Sequence, residues 1–296
     1  MASLRATFVP PRLGWTIGRG GRVQQLCTKV ARMPVQPPKY VPVAATRPVL
    51  GVVCLPTDPW IEEEMCAMAA AVRGGAVGVR IQRLVVPGGD TLTQETYRTA
   101  LNRITDAAAT IGPKDVLSAI SLSCTSMSMT LGRDTVAERL RAAHPNAAVT
   151  SMDECVELAV RQLGIHRVGL VSPYIPELHE LAVGMLQAAG AQVTVETAFG
   201  LSTDADIATL SPTTLSEAAK SVAHHARRNG RQLDGIVLCC SAMRATGFGF
   251  IDQLEAELGM PVVTSNQAQM WRLLRLSGIS DAVPGYGALL DAASAT

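Results

Sequence analysis

The 296-residue sequence has no excess of either charge: 26 Lys and Arg face 25 Asp and Glu, for a formal net charge of +1. A dedicated nucleic-acid binder usually carries a strong basic surplus, so that class is set aside. No run approaches 18 uninterrupted apolar residues, and no membrane-spanning helix is expected. There is no CxxC pair and no Cys/His cluster at zinc spacing, so no metal is expected. Seven cysteines in a chain of this length do not make a disulfide scaffold, and the thiols are read as reduced. The Gly88-Gly89 pair lacks both the GxGxxG spacing and the downstream acid of a dinucleotide site, and no GxxxxGKS or GxxxxGKT phosphate loop occurs. No nucleotide cofactor is expected. Aromatics are scarce at 4%, yet 48% of residues are hydrophobic, enough for a sizeable core.

Charge is unevenly placed. The first 57 residues hold eight bases and no acid, which leaves 18 bases against 25 acids in the rest. An acid-free, Arg-bearing start has the composition of an organellar transit peptide. The alternatives are an unstructured tail, or an upstream start preceding a true start at Met33. The expected compartment is the cytoplasm, or a mitochondrion or other organelle if residues 1–46 are a transit peptide. The proline-rich stretch from Met33 to Pro48 reads as an extended linker.

From Val49 onward, strands and helices alternate. Short apolar runs at 49–55, 77–86, 116–124 and 147–151 suit strands buried on both faces. Helical patterns lie between them at 61–72, 93–111 and 134–143. The plan then repeats. Strands are expected at 167–173, 191–198, 234–240 and 261–265, and helices at 153–164, 177–190, 216–230, 250–259 and 266–278. GVVCLP (51–56) sets against VGLVSP (168–173) at an offset of 117, and ISLSCTSM (120–127) against IVLCCSAM (236–243) at 116. This points to a duplicated α/β fold of two pseudo-symmetric, Rossmann-like domains with mainly parallel four-stranded sheets. The first domain is expected over 47–151 plus 262–296 and the second over 152–261, after a segment 1–46. Ligands bind at the carboxyl ends of parallel strands, so Cys124 and Cys240 are expected on opposite sides of one cleft.

These motifs carry a resemblance. SCTSMSMTLG (123–132), SPY (172–174), CCSAMRA (239–245) and LEAELGMPVVTSNQAQMWRLLRLSGI (254–279) resemble the aspartate/glutamate racemase superfamily. The nearest branch is that of the maleate cis–trans isomerases, with arylmalonate decarboxylases and ectoine-utilisation racemase-like proteins beside it. The resemblance implies a cofactor-independent site between two domains, with one cysteine as nucleophile and the other as acid/base partner. Cys124 and Cys240 stand at these positions. The decarboxylase branch has glycine at the first, so the pair disfavours decarboxylation. Tyr174 matches the family's substrate-contacting tyrosine.

Two positions depart from the family pattern. Its P-S-S-N turn is here Pro56-Thr57-Asp58, and a later asparagine falls at Asp204, with Asp206 as the alternative alignment. A carboxylate beside a substrate carboxylate is repulsive unless one is protonated, so an amino-bearing substrate would fit two aspartates better than a plain dicarboxylate.

The chemistry follows from the thiols. A cysteine before a helix N-terminus meets backbone N–H groups that favour a thiolate. Those groups, with the hydroxyls of Thr125, Ser126 and Ser241, suit a substrate carboxylate. Cys124 could add to an activated alkene, allow rotation and be eliminated. Alternatively, two thiols on opposite faces could racemise an amino acid or an ectoine-derived diamino acid. A small-carboxylate-binding protein without turnover is the alternative from another class. Cys239, Cys54, Cys66 and Cys155 read as packing residues. Asp58 also suits a helix cap, as do Ser265 and Asn266. No histidine is placed for a Ser/His/Asp triad. Homo-oligomers are common among soluble proteins, but no interface is legible.

Overall fold

The computed structural model describes residues 47–75, 77–86, 91–113 and 116–291. The segment 1–46 and the Gly88-Gly89 pair lie outside these residues. In chain order the first half runs β1 (Val49–Cys54), α1 (Ile61–Ala71), β2 (Gly78–Arg83), α2 (Gln94–Thr99), α3 (Leu101–Thr110), β3 (Ala119–Ser123), α4 (Thr125–Leu131), α5 (Arg133–Ala143) and β4 (Ala148–Ser151). The second half runs α6 (Met152–Gln162), β5 (Arg167–Tyr174), α7 (Pro176–Ala188), β6 (Gln192–Leu201), α8 (Asp204–Ile207), α9 (Pro212–Arg228), β7 (Gly235–Leu238), α10 (Phe250–Leu258), β8 (Val262–Thr264), α11 (Ser265–Leu276) and α12 (Ala288–Asp291). No helix among the described residues is long and apolar enough to cross a membrane.

The expected pair of parallel sheets is present. Their orders are β2-β1-β3-β4 and β6-β5-β7-β8, with every pairing parallel. The same order twice is the architecture of a duplication. β3 and β7 are buried at every residue, as their uninterrupted apolar runs require of strands covered on both faces.

Each central strand carries a glycine where it meets its neighbour: Gly51 pairs with Ile120 and Gly169 with Ile236. A Cβ built on Gly169 would lie 2.5 Å from Ile236 Cδ1 and 2.7 Å from Val222 Cγ1. The larger side chains fill the space that the glycine leaves. Gly169→Ala is therefore expected to destabilise the fold by about 1–3 kcal/mol, lowering Tm by roughly 2–12 °C for a chain of this size. Gly184→Ala in α7, where a new Cβ meets nothing within 4 Å, is the matched control. Thermal melts that leave both variants at the parental Tm would refute the packing argument.

Two helices join the halves: α6 and α11 each contact β3 and β4 of the first sheet and β8 of the second, and they pack on each other. One expected boundary moves. The strand Val262–Thr264, assigned above with the first domain, pairs with β7 in the second sheet, and the chain returns to the first half only at Ser265. Its backbone groups need a ladder partner before the helix begins, and β7 supplies it. The single helix expected over 93–111 is two helices. At Ala100 (φ −84°, ψ −6°) the backbone tightens, so α2 packs on α4 while α3 packs on α5 and β1.

Candidate active site

The two central crossings of the fold place the cysteines. Cys124 ends β3 and is the N-cap residue of α4. Its side chain makes no capping hydrogen bond; its sulfur lies 3.6 Å from Ser126 Oγ, and the Met127 N–H is near enough to favour the thiolate. Burial pushes the thiol up to about 12, and the nearby Asp204 carboxylate pushes the same way. Cys240 follows β7. Burial again raises its thiol well above the ordinary range, Asp204 adds to the push, and the Tyr174 hydroxyl and Ala242 N–H oppose it. A charge on Cys124 raises Cys240 as well, so the two sulfurs share one electrostatic environment. The thiols are 4% and 6% exposed. The resting site thus holds two protonated thiols in an enclosed space. Cys240 differs from the expectation in one respect: it does not precede a helix, because residues 241–249 form neither helix nor strand.

Both aspartates singled out above are buried at this site. Asp58 Oδ1 accepts the N–H groups of Trp60 and Ile61 at 3.0 and 3.1 Å, so it caps the start of α1 as expected. Ser241 approaches the same carboxylate, while Oδ2 has no hydrogen-bond partner among the described residues. Burial raises the Asp58 pKa. Asp204, the first residue of α8, accepts the Thr57 hydroxyl at 2.5 Å. It rather than Asp206 faces the thiols, since Asp206 is exposed and bonded to Thr203. The approach depends on a junction between halves: Thr91 bridges Thr203, and Leu92 N–H donates to Ser202 at 2.8 Å. Beside that junction a small crevice opens, lined by Pro56, Thr57, Leu92 and Tyr97 among others.

The remaining expected residues divide. Tyr174 is wholly buried and close enough to Cys240 to influence its thiol, although its hydroxyl has no hydrogen-bond partner among the described residues. Ser126 links Cys124 to the Tyr97 hydroxyl, at 2.7 Å from the latter. Thr125 turns instead to α11, where its hydroxyl donates to Ser265 Oγ at 3.0 Å. Ser265 and Asn266 are not the caps considered above. Thr264 takes that role in a capping box with Gln267, and Asn266 reaches Glu64 and the Ser241 carbonyl. Tyr97 was not singled out in the sequence. Its pKa is raised first by burial and then by Cys124, which places its phenol at the site. Cys54, Cys155 and Cys239 are buried as expected, but Cys66 is exposed, on the outer face of α1.

A serine–histidine–glutamate line is present in the second half: Ser172 Oγ lies 2.7 Å from His179 Nδ1, and His179 Nε2 lies 3.6 Å from Glu196. Ser172 is wholly buried. The line therefore fastens α7 to β5 and β6 and presents no nucleophile.

Comparison with known proteins points to one family. The family model for arylmalonate decarboxylase matches residues 51–290. Arylmalonate decarboxylase of Bordetella bronchiseptica is 30% identical over 210 residues, spanning 69% of this chain and 83% of that protein. Maleate isomerase of Nocardia farcinica is 28% identical over 160 residues, or 54% of this chain and 61% of that protein. Among solved structures, a cysteine-to-serine mutant of the Nocardia farcinica maleate cis–trans isomerase with a covalently bound succinylcysteine intermediate superposes with a TM-score of 0.73. That match has 23% identity and covers 82% of this chain and 98% of the other, a likeness of fold.

Proposed function

From the premise that this chain belongs to the arylmalonate decarboxylase family, within the aspartate/glutamate racemase superfamily, we propose that it is a cofactor-independent isomerase of a small carboxylate. The observation that carries this reading is the pair of thiols, Cys124 and Cys240, at equivalent strand ends of two like sheets and within electrostatic reach of each other. The reaction nearest by relationship is cis–trans isomerisation of a maleate-like acid.

In that reaction Cys124 gives its proton to water as substrate enters, and its thiolate sulfur adds to one alkene carbon; the proton returns to Cys124 after the product leaves. Cys240 gives a proton to the adjacent carbon. The former double bond, now single, rotates. Cys240 then retakes a proton as the C–S bond breaks and the trans alkene leaves, so no net proton or electron is consumed. The Met127 N–H on Cys124 and the Ala242 N–H on Cys240 stabilise each thiolate as it forms. The hydroxyls of Ser126, Tyr97 and Tyr174 are donors suited to a substrate carboxylate. Asp58 and Asp204 favour a second reading, racemisation of a substrate bearing an ammonium group, in which the thiols exchange an α-proton from opposite faces.

A proton NMR time course with maleate in D₂O separates the two. Fumarate formed by the intact protein, and not by a double Cys124→Ala/Cys240→Ala variant, is the expected result. No fumarate from folded, reduced protein would transfer the assignment to the amino-bearing substrate.

A further inference from the structure

The two cysteines are held in different ways. Cys124 is fixed by the helix it heads, whereas Cys240 opens a segment without regular structure. What grips that segment is α1, from the other half of the molecule. Glu64, 3% exposed, accepts the Thr246 N–H through Oε1 at 2.9 Å and the Asn266 amide through Oε2 at 2.7 Å. The same Asn266 amide donates to the Ser241 carbonyl at 2.9 Å. Thr246 in turn pairs its hydroxyl with Thr264 at 2.7 Å. At the solvent edge Arg244 bonds to Glu63 at 2.7 Å and lies 4.6 Å above the Trp60 ring. Both ends of the segment 241–246 therefore converge on one buried carboxylate, directly after Cys240.

We propose that Glu64 is a positioning residue whose carboxylate holds the Ser241–Thr246 segment and so places Cys240 opposite Cys124. This rests on Cys240 being a working thiol, as proposed above. A carboxylate suits the task because it accepts on both oxygens and donates from neither. A glutamine would turn an N–H toward Thr246 or Asn266, leaving a buried donor unpaired. Protonation does the same to one oxygen.

Burial raises the Glu64 pKa to about 7, against the two hydrogen bonds, and Asp58 pushes it in the same direction. The Glu64 charge in turn adds to the burial that raises the Tyr286 phenol. The grip is thus complete above neutrality, where Glu64 is ionised, and weakens as the pH falls through about 7.

The test needs no substrate, so its outcome is separable from that of the catalytic assignment. Folded full-length protein is treated with methyl methanethiosulfonate, a small reagent fast enough to report the trace thiolate, at pH 6 and pH 8, and thiomethylation of each cysteine is read by peptide mass spectrometry without reduction. Both thiols titrate far above this range, so their thiolate fractions rise together and the Cys240-to-Cys124 ratio reports accessibility. In the unmodified protein the ratio is expected to rise about tenfold from pH 8 to pH 6, following the protonated fraction of a group near 7. In Glu64→Gln it should be high at both pH values. A ratio that Glu64→Gln leaves at the unmodified protein's pH 8 value overturns the proposal. So does a variant in which both thiols become more reactive by the same factor, which is general loosening rather than release of one segment. If Glu64→Gln does not fold, Asn266→Ser, which removes the amide shared by Glu64 and the Ser241 carbonyl, is read in the same way.

Discussion

Replacing Cys124 or Cys240 by alanine is expected to lower kcat/KM for maleate by at least about a thousandfold in either variant. Each thiol is nearly enclosed, and alanine removes only one small atom from a site bounded by hydroxyls and backbone, so the fold should persist and the thermal melt should change little. The two losses differ in kind. Without Cys124 there is no nucleophile to open the alkene. Without Cys240 the sulfur can still add, with water protonating the adjacent carbon in its place, but the adduct lacks the base that retakes this proton and returns it to product. Intact-mass spectrometry of Cys240→Ala with maleate is therefore expected to show one added substrate mass, located at Cys124. Racemisation predicts another pattern. Each single variant would then keep hydrogen exchange with one enantiomer, on the face served by the remaining thiol, and neither would form an adduct. An unaffected rate in either variant would sink the two-thiol mechanism altogether.

The strands and their duplication were readable because buried parallel strands are continuous apolar runs, and nothing else in this chain of few aromatics looks like them. Cys124 and Cys240 were readable for the same reason: they end the two runs that align with each other. What escaped was whatever depends on contacts distant in sequence. TSMSMTL has no helical period, yet Thr125–Leu131 is helical because α2, α6 and α7 give it a place to pack. Tyr97 on an amphipathic helix reads as core, and only the approach of Ser126 and Cys124 makes it part of a site. Glu62, Glu63 and Glu64 are indistinguishable as a run of acids in a helix's first turn. In the fold the first two face solvent and pair with Arg83 and Arg244, while the third is buried beneath the Cys240 segment. Asp58 shows the limit of choosing between roles: it caps α1 with one oxygen and leaves the other toward the site.

Asp204→Asn is expected to raise kcat/KM for maleate by about ten- to a hundredfold, and to lower it by a similar factor for a substrate carrying an ammonium group. The Asp204 carboxylate raises both thiols, so removing its charge makes each thiolate easier to form, and one unit of pKa is worth about tenfold. It also removes a like charge from beside a dianionic substrate. Two unit charges about 4 Å apart repel by roughly 4 kcal/mol at the effective dielectric of a protein surface, so partial relief is enough for the expected gain. The substituted asparagine can still accept from Thr57 through its amide oxygen, and the junction at Thr91 and Thr203 does not involve the side chain. Asp58 is less discriminating. Its pKa is raised by burial, and in the protonated form it can donate to a carboxylate as readily as the ionised form can accept from an ammonium. Asp204 is therefore the residue on which tolerance of the substrate's charge is expected to turn. Parallel measurement of both substrate classes, with and without the substitution, tests this directly. A fall in maleate turnover in Asp204→Asn would show that the carboxylate serves the thiols as a proton acceptor, and that its charge helps the reaction instead of opposing the substrate.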